Sequence, residues 1–102
     1  MKTKYLFLDI DGTIFHGYVP DSAKQAIRQA KANGHKVYLC TGRPIGLVPE
    51  VVNGLVEYDG KICASGCYIE LDGKLYLDYY FPEQLAKKIV NLLEKNEIAY
   101  SM

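Results

Sequence analysis

The chain has 102 residues, about half of them apolar and about a quarter charged, which is the composition of one small globular domain. Its 12 basic residues balance its 12 acidic residues, so the formal net charge of zero gives no electrostatic footprint for nucleic acid or an anionic membrane. No apolar run is long enough to cross a membrane, and the N-terminus lacks the long apolar segment of a secretory signal. We therefore expect a cytoplasmic protein without membrane or nucleic-acid partners.

The three cysteines, Cys40, Cys63 and Cys67, do not indicate a disulfide framework, because their number is odd. Their spacing also differs from that of a zinc site, and no histidine lies nearby in the sequence. We expect them to be buried, reduced thiols that act as small apolar side chains.

The first predicted element is a strand over residues 5–10, an apolar run that only Asp9 interrupts. Continuous hydrophobicity predicts a strand that is buried on both faces, as in a parallel sheet. A turn is predicted over residues 11–13, and the spacing of apolar residues then predicts a helix over 22–33 that ends at Gly34.

The middle of the chain repeats this alternation of strand and helix. Strands are predicted over residues 36–41 and 61–64, and a short helix over 48–55 lies between them. The order strand–helix–strand–helix–strand is typical of a parallel α/β sheet with right-handed crossovers.

The last third of the chain changes character. The pair Asp72-Gly73 lies between apolar segments at residues 68–71 and 74–77 and predicts a β-hairpin. A helix beginning near Pro82 follows, and another strand is predicted to start at residues 98–100. Four apolar side chains lie on one face of that helix: Leu85, Ile89, Leu92 and Leu93.

Polar residues with the chemistry of a phosphate site follow the first two strands. Asp9 and Asp11 are two residues apart, so their carboxylates point the same way if the strand continues. Gly12 permits close approach of the backbone to a ligand, while Thr41 and Gly42 end the second strand at the same sheet edge. These groups suit a phosphate and a divalent cation. The alternative is a polar turn without chemical function.

Three segments resemble the haloacid dehalogenase superfamily. Asp-Ile-Asp-Gly-Thr at residues 9–13, after the apolar residues 5–8, resembles its first motif. Val-Tyr-Leu-Cys-Thr-Gly-Arg-Pro at residues 37–44 resembles its second motif in the form typical of Cof-like phosphatases. Residues 64–69, followed by an Asp-Gly hairpin, resemble that subfamily's third strand and its entry into the cap domain. The resemblance extends over essentially the whole chain.

The resemblance implies a fold and a domain division. Residues 1–67 would form the N-terminal part of a Rossmann-like parallel α/β core, and residues 68–102 would begin an α/β cap domain. It also implies a Mg²⁺-dependent hydrolase that acts on a small phosphorylated metabolite.

The resemblance also implies residue roles. Asp9 would be the nucleophile that forms an aspartyl-phosphate, and Asp11 would protonate the leaving alcohol and later activate water. Thr41 and backbone groups at Gly12 and Gly42 would hold the phosphate. Mg²⁺ would bind the Asp9 carboxylate and the backbone carbonyl of Asp11.

Arg43 lies within the second motif, and we expect it to reach the substrate phosphate or the cap, with a structural surface role as the alternative. Ser65 stands where Cof-like proteins often have asparagine, which weakens the expectation of a substrate contact at that position.

The family's lysine and its C-terminal acidic motif do not occur in this sequence. We therefore expect an incomplete phosphatase that lacks its C-terminal half. The alternative is a catalytically silent fragment that binds phosphate or Mg²⁺ weakly, or that associates with itself or with a partner.

Overall fold

The computed structural model describes residues 2–99 and contains one five-stranded sheet. The strands are β1 (Tyr5–Leu8), β2 (Lys36–Cys40), β3 (Gly60–Cys63), β4 (Tyr68–Leu71) and β5 (Lys74–Asp78), and they lie side by side in that order. The helices are α1 (Asp21–Ala32), α2 (Glu50–Asn53) and α3 (Glu83–Lys95), with 3₁₀ turns at Ile45–Leu47 and Ala64–Gly66.

The sheet is mixed. β1, β2 and β3 are parallel, as the alternation of strands and helices predicts, whereas β4 and β5 are antiparallel to their neighbours. The predicted hairpin is confirmed: Asp72 and Gly73 have φ values of 52° and 79°, as a type I′ turn requires. Because β4 pairs with β3, the hairpin extends the same sheet as the parallel strands.

One face of the sheet carries the hydrophobic core. Val37 and Leu39 of β2 and Cys63 of β3 are fully buried there, together with Ile27 of α1 and Val52 of α2. When strands are added in one direction, right-handed connections place their helices on the same face. This topology accounts for both helices packing into one core.

The opposite face carries an aromatic cluster made of Tyr5, Phe7 and Tyr38. The ring centroid of Tyr38 lies 4.9 Å from that of Phe7 and 6.4 Å from that of Tyr5. Tyr38 also lies over Gly60, where an added Cβ would be 2.8 Å from its ring. Tyr5 and Phe7 remain 61% and 57% exposed, so the prediction that the first strand is buried on both faces is wrong. Among residues 2–99, β1 is an edge strand that pairs with β2 alone.

No residue of α3 is buried, and the side chains Leu85 and Leu92 of its apolar face are exposed. Two further expectations need correction. Ile98 and Ala99 belong to no strand, and the rest of that predicted strand, at residue 100, lies outside the described residues. Of the three cysteines, only Cys63 is buried; the other two thiols are exposed.

Within residues 2–99, none of the helices has the length and apolar character needed to cross a membrane.

Candidate active site

The chain turns sharply where β1 ends, and this turn places the two acids. The carbonyl oxygen of Ile10 accepts hydrogen bonds from the N–H groups of Thr13, Ile14 and Phe15, at 3.2, 3.1 and 2.9 Å. Gly12 has a φ of 77°, which L-residues rarely adopt, and its N–H donates to the carbonyl of Phe15 at 3.0 Å. In this conformation the Gly12 amide is therefore not available to a phosphate.

Asp9 is an exposed carboxylate at the carboxyl end of β1. Its Oδ1 atom accepts the N–H of Ile10 at 2.8 Å, which orients the carboxylate. Asp9 lines a cavity of about 570 Å³ together with Thr41 and Gly42, which follow β2. Three of the residues that the sequence assigned to the site therefore meet at one place.

Thr41 lies within this cavity and is 6% exposed. Its Oγ1 accepts the N–H of Arg43 at 3.1 Å, so the hydroxyl proton can be donated to a ligand. Within residues 2–99, the N–H of Gly42 has no hydrogen-bond acceptor. One hydroxyl and one backbone amide can thus hold an anion beside Asp9.

Asp11 is held by a bidentate ion pair. Arg43 donates from Nε to Oδ2 at 2.8 Å and from Nη2 to Oδ1 at 2.7 Å, while its Nη1 donates to the carbonyl of Leu47 at 2.9 Å. The guanidinium carbon also lies 5.7 Å from the ring centroid of Phe15. The hydrogen bonds from Arg43 lower the pKa of Asp11, so the carboxylate is ionised at neutral pH.

The ion pair gives Arg43 the structural role that the sequence left open as the alternative to contact with the substrate or the cap. Its guanidinium contacts Asp11 and Leu47. The pairing joins residues 32 positions apart, so no local sequence pattern indicates it.

The donor set suits a hard cation only in part. Among residues 2–99, no group of three or more histidine, cysteine, aspartate or glutamate side chains could hold a metal ion. Asp9 nevertheless offers carboxylate oxygens, the kind of ligand that Mg²⁺ prefers. The carboxylate of Asp11 is engaged by Arg43. The residues therefore fit Mg²⁺ as a partial ligand set.

A larger cleft of about 710 Å³ lies where the parallel strands begin, lined in part by Lys31, Asp59 and Lys61. Both of its lysines are engaged by side chains of the cleft: Lys31 binds Asp59 at 2.7 Å, and Lys61 donates to Asn53 at 3.0 Å. This cleft is remote from the carboxyl ends of the strands, where ligands bind in open α/β sheets. We therefore place the candidate site at the smaller cavity.

The turn after β3 completes this cavity. Ser65 and Gly66 line it, as do Phe7, Cys40 and Ile62. Ala64 and Ser65 both have positive φ values, 49° and 52°, and the glycine that follows them is the one local signal for this conformation.

Comparisons with known proteins identify the family. A family model described as haloacid dehalogenase-like hydrolase matches residues 6–102. The Bacillus subtilis protein named "Putative phosphatase YxeH" is 38% identical over 72 residues, which cover 66% of this chain and 27% of that protein.

Two solved structures share the fold. The subclass IIB sugar phosphatase BT4131 is 30% identical with a TM-score of 0.71, over 92% of this chain and 38% of that one. A haloacid dehalogenase-like hydrolase from B. subtilis is 28% identical with a TM-score of 0.73, over 93% of this chain and 34% of that one. The chain thus spans about a third of the length of the relatives it matches.

Proposed function

This chain belongs to the haloacid dehalogenase-like hydrolase family, and we propose that it carries the nucleophile-bearing part of a Mg²⁺-dependent phosphomonoesterase. The observation that supports this most is the meeting of Asp9, Thr41 and Gly42 in one cavity. A carboxylate, a hydroxyl and a backbone amide at the carboxyl ends of adjacent parallel strands suit a phosphate group.

Asp9 is the proposed nucleophile. Its Oδ1 is held by the N–H of Ile10, which leaves Oδ2 to attack phosphorus. A bond forms between Oδ2 and phosphorus, and the bond between phosphorus and the alcohol oxygen breaks. The product is an aspartyl-phosphate, and Thr41 and the Gly42 amide contact the oxygens of the transferred group. Water then attacks the phosphorus, releases inorganic phosphate and regenerates the carboxylate.

Asp11 is the proposed proton carrier. It gives a proton to the departing alcohol in the first step and takes one from water in the second. The ion pair with Arg43 lowers the pKa of Asp11 and therefore favours the ionised form, which serves the second step. Arg43 must release the carboxylate before Asp11 can hold a proton for the leaving group. In this proposal Arg43 positions Asp11, and substrate contact by Arg43 requires the ion pair to open.

Asp9 and the backbone carbonyl of Asp11 would hold Mg²⁺. When bound, the cation offsets the repulsion between the carboxylate and the anionic phosphate. Since the described residues offer only part of a ligand shell, we expect its affinity to be low.

We propose a small phosphorylated metabolite as substrate, and the likeness to a sugar phosphatase supports a phosphorylated sugar. The same proposal assigns residues 1–67 to the core and residues 68–102 to the start of a cap. The resemblance to the family supports the substrate class and the division into core and cap.

A turnover assay tests the proposal. We would measure hydrolysis of p-nitrophenyl phosphate with Mg²⁺ by the wild-type chain, by Asp9→Asn and by the control Asp21→Asn, an exposed acid on α1. The proposal predicts activity that Asp9→Asn abolishes and that Asp21→Asn retains, because an amide is a poor nucleophile. Retained activity in Asp9→Asn refutes the role of Asp9. A wild-type chain without turnover supports the alternative, a catalytically silent chain.

A further inference from the structure

The turn after β3 has an unusual backbone. Ala64, Ser65 and Gly66 are consecutive residues with φ values of 49°, 52° and 97°. Only the last is glycine, and L-residues such as alanine and serine enter this left-handed region at an energetic cost. Such a conformation persists only where surrounding contacts enforce it, and it occurs preferentially at functional sites.

Two hydrogen bonds fasten this turn to the segment that follows β2. The N–H of Ala64 donates to the carbonyl of Arg43 at 2.8 Å, and the N–H of Ser65 donates to the carbonyl of Thr41 at 3.2 Å. The strained turn is therefore fixed to Thr41, which is proposed to hold phosphate, and to Arg43.

The side chain of Ser65 reaches over the cavity. Its Oγ lies 3.4 Å from the position that a Cβ on Gly42 would occupy, so it stands above the Gly42 backbone. Ser65 is exposed and lines the same cavity as Asp9. Among residues 2–99 its hydroxyl has no recorded hydrogen-bond partner, so it can donate to or accept from a ligand.

We propose that Ser65 is a substrate-contacting residue whose hydroxyl binds a polar group on the leaving alcohol. This inference rests on the proposed function. Thr41 is buried within the cavity and is therefore placed for the phosphoryl oxygens, whereas Ser65 is exposed and faces the part of the ester that extends outward. The left-handed backbone conformation places this hydroxyl over Gly42.

The contact selects for leaving groups that carry a hydroxyl close to the ester oxygen. Two phosphomonoesters that differ in that group alone, 2-hydroxyethyl phosphate and ethyl phosphate, make a matched pair of probes. One hydrogen bond of ordinary net strength corresponds to a preference of about five- to tenfold for the hydroxylated ester.

The test is an NMR titration of the ¹⁵N-labelled chain with each ester and with inorganic phosphate, in the presence of Mg²⁺. The wild-type chain should prefer 2-hydroxyethyl phosphate by about five- to tenfold. Ser65→Ala should abolish that preference and leave the dissociation constants for ethyl phosphate and inorganic phosphate unchanged. Ser22→Ala, an exposed serine on α1, should behave as the wild type does.

Ser65→Gly distinguishes the effect of losing the hydroxyl from the effect of backbone strain, because glycine adopts the left-handed conformation without strain. It should lose the preference as Ser65→Ala does, and it should melt at a higher temperature than Ser65→Ala. A preference that persists in both variants overturns the inference, as does a wild-type chain that binds both esters equally.

Thr41→Val distinguishes failure of this inference from failure of the proposed function. If the role of Ser65 is wrong and the phosphate site is right, Thr41→Val weakens the binding of all three ligands, while Ser65→Ala changes none of the dissociation constants. If the phosphate site itself is wrong, Thr41→Val binds all three as the wild type does, or the wild type binds none, and both proposals are overturned.

Discussion

Replacing Asp59 by alanine should destabilise the fold substantially, although Asp59 lies far from the proposed site. Its Oδ2 accepts hydrogen bonds from Nζ of Lys31 at 2.7 Å and from the N–H of Val37 at 2.8 Å. Nζ of Lys36 lies 3.9 Å from the other carboxylate oxygen. One carboxylate therefore joins the end of α1 to the starts of β2 and β3, the elements that carry Thr41 and Ser65 to the cavity.

The size of the effect follows from what the substitution leaves behind. Val37 is fully buried, and an unsatisfied N–H at such a position costs about 1–3 kcal/mol. The ion pair with Lys31 is partly exposed and contributes up to about 1 kcal/mol. Asp59→Ala should thus lower the free energy of unfolding by about 1–4 kcal/mol, a large fraction of the roughly 5–15 kcal/mol typical of a domain.

Urea unfolding followed by circular dichroism measures this loss. Asp59→Asn is the matched control, because its amide oxygen can still accept the Val37 N–H. It should therefore lose only about 1 kcal/mol, the ion-pair contribution. A free energy of unfolding for Asp59→Ala within about 0.5 kcal/mol of the wild type would refute the reasoning, since that is the range of neutral surface substitutions.

The pH dependence gives a second readout. Partial burial raises the pKa of Asp59, but the hydrogen bonds from Lys31 and Val37 outweigh it, so the pKa is lowered overall. A lowered pKa in the folded state means that the stabilisation is present above the unfolded-state pKa of about 3.9 and is lost as the pH falls through the folded value. The difference between wild type and Asp59→Ala should therefore shrink in acid. A difference that is constant from neutral pH to below pH ~3 would contradict the pairing.

Three further outcomes are expected. Arg43→Met should raise the pKa of Asp11 towards its ordinary value, because the hydrogen bonds that lower it are lost; ¹³C titration of the carboxyl measures this, and an unchanged pKa would contradict the ion pair. Mg²⁺ should bind the chain weakly in calorimetry, and low-micromolar affinity would show that the partial ligand set was misjudged. The chain should self-associate through the open β1 edge and the exposed Phe7. Light scattering should therefore show a mass that falls on dilution, and a lower mass for Phe7→Lys than for the wild type. A wild-type chain that is monomeric at every concentration would refute this expectation.

The elements of the fold were predictable because local patterns determine them. The apolar runs at β1, β2 and β3 and the Asp72-Gly73 pair each mark an element without reference to the rest of the chain. The solvent exposure of one face of β1 was not predictable in this way. Its exposure depends on which strand and which helices adjoin it, and the side chains of Tyr5 and Phe7 are as apolar as those of a buried strand.

The meeting of Asp9 with Thr41 was predictable from the sequence, but the contacts of Arg43 and the backbone conformation of Ser65 were not. Asp9 and Thr41 each end a strand, and parallel pairing of β1 with β2 brings those ends together. The ion pair of Arg43 with Asp11 depends on the path of two loops. The left-handed backbone of Ser65 depends on two hydrogen bonds from another segment, and serine has no intrinsic preference for that conformation.

The central claim is that Asp9 accepts a phosphoryl group, and trapping that group tests it most directly. The chain would be incubated with Mg²⁺ and acetyl phosphate, a reactive phosphoryl donor, and the modified residue located by peptide mass spectrometry. The account predicts one hydroxylamine-labile phosphoryl group on Asp9, absent from Asp9→Asn and present in Asp21→Asn. A phosphoryl group on another residue, or none on the wild-type chain, would contradict it.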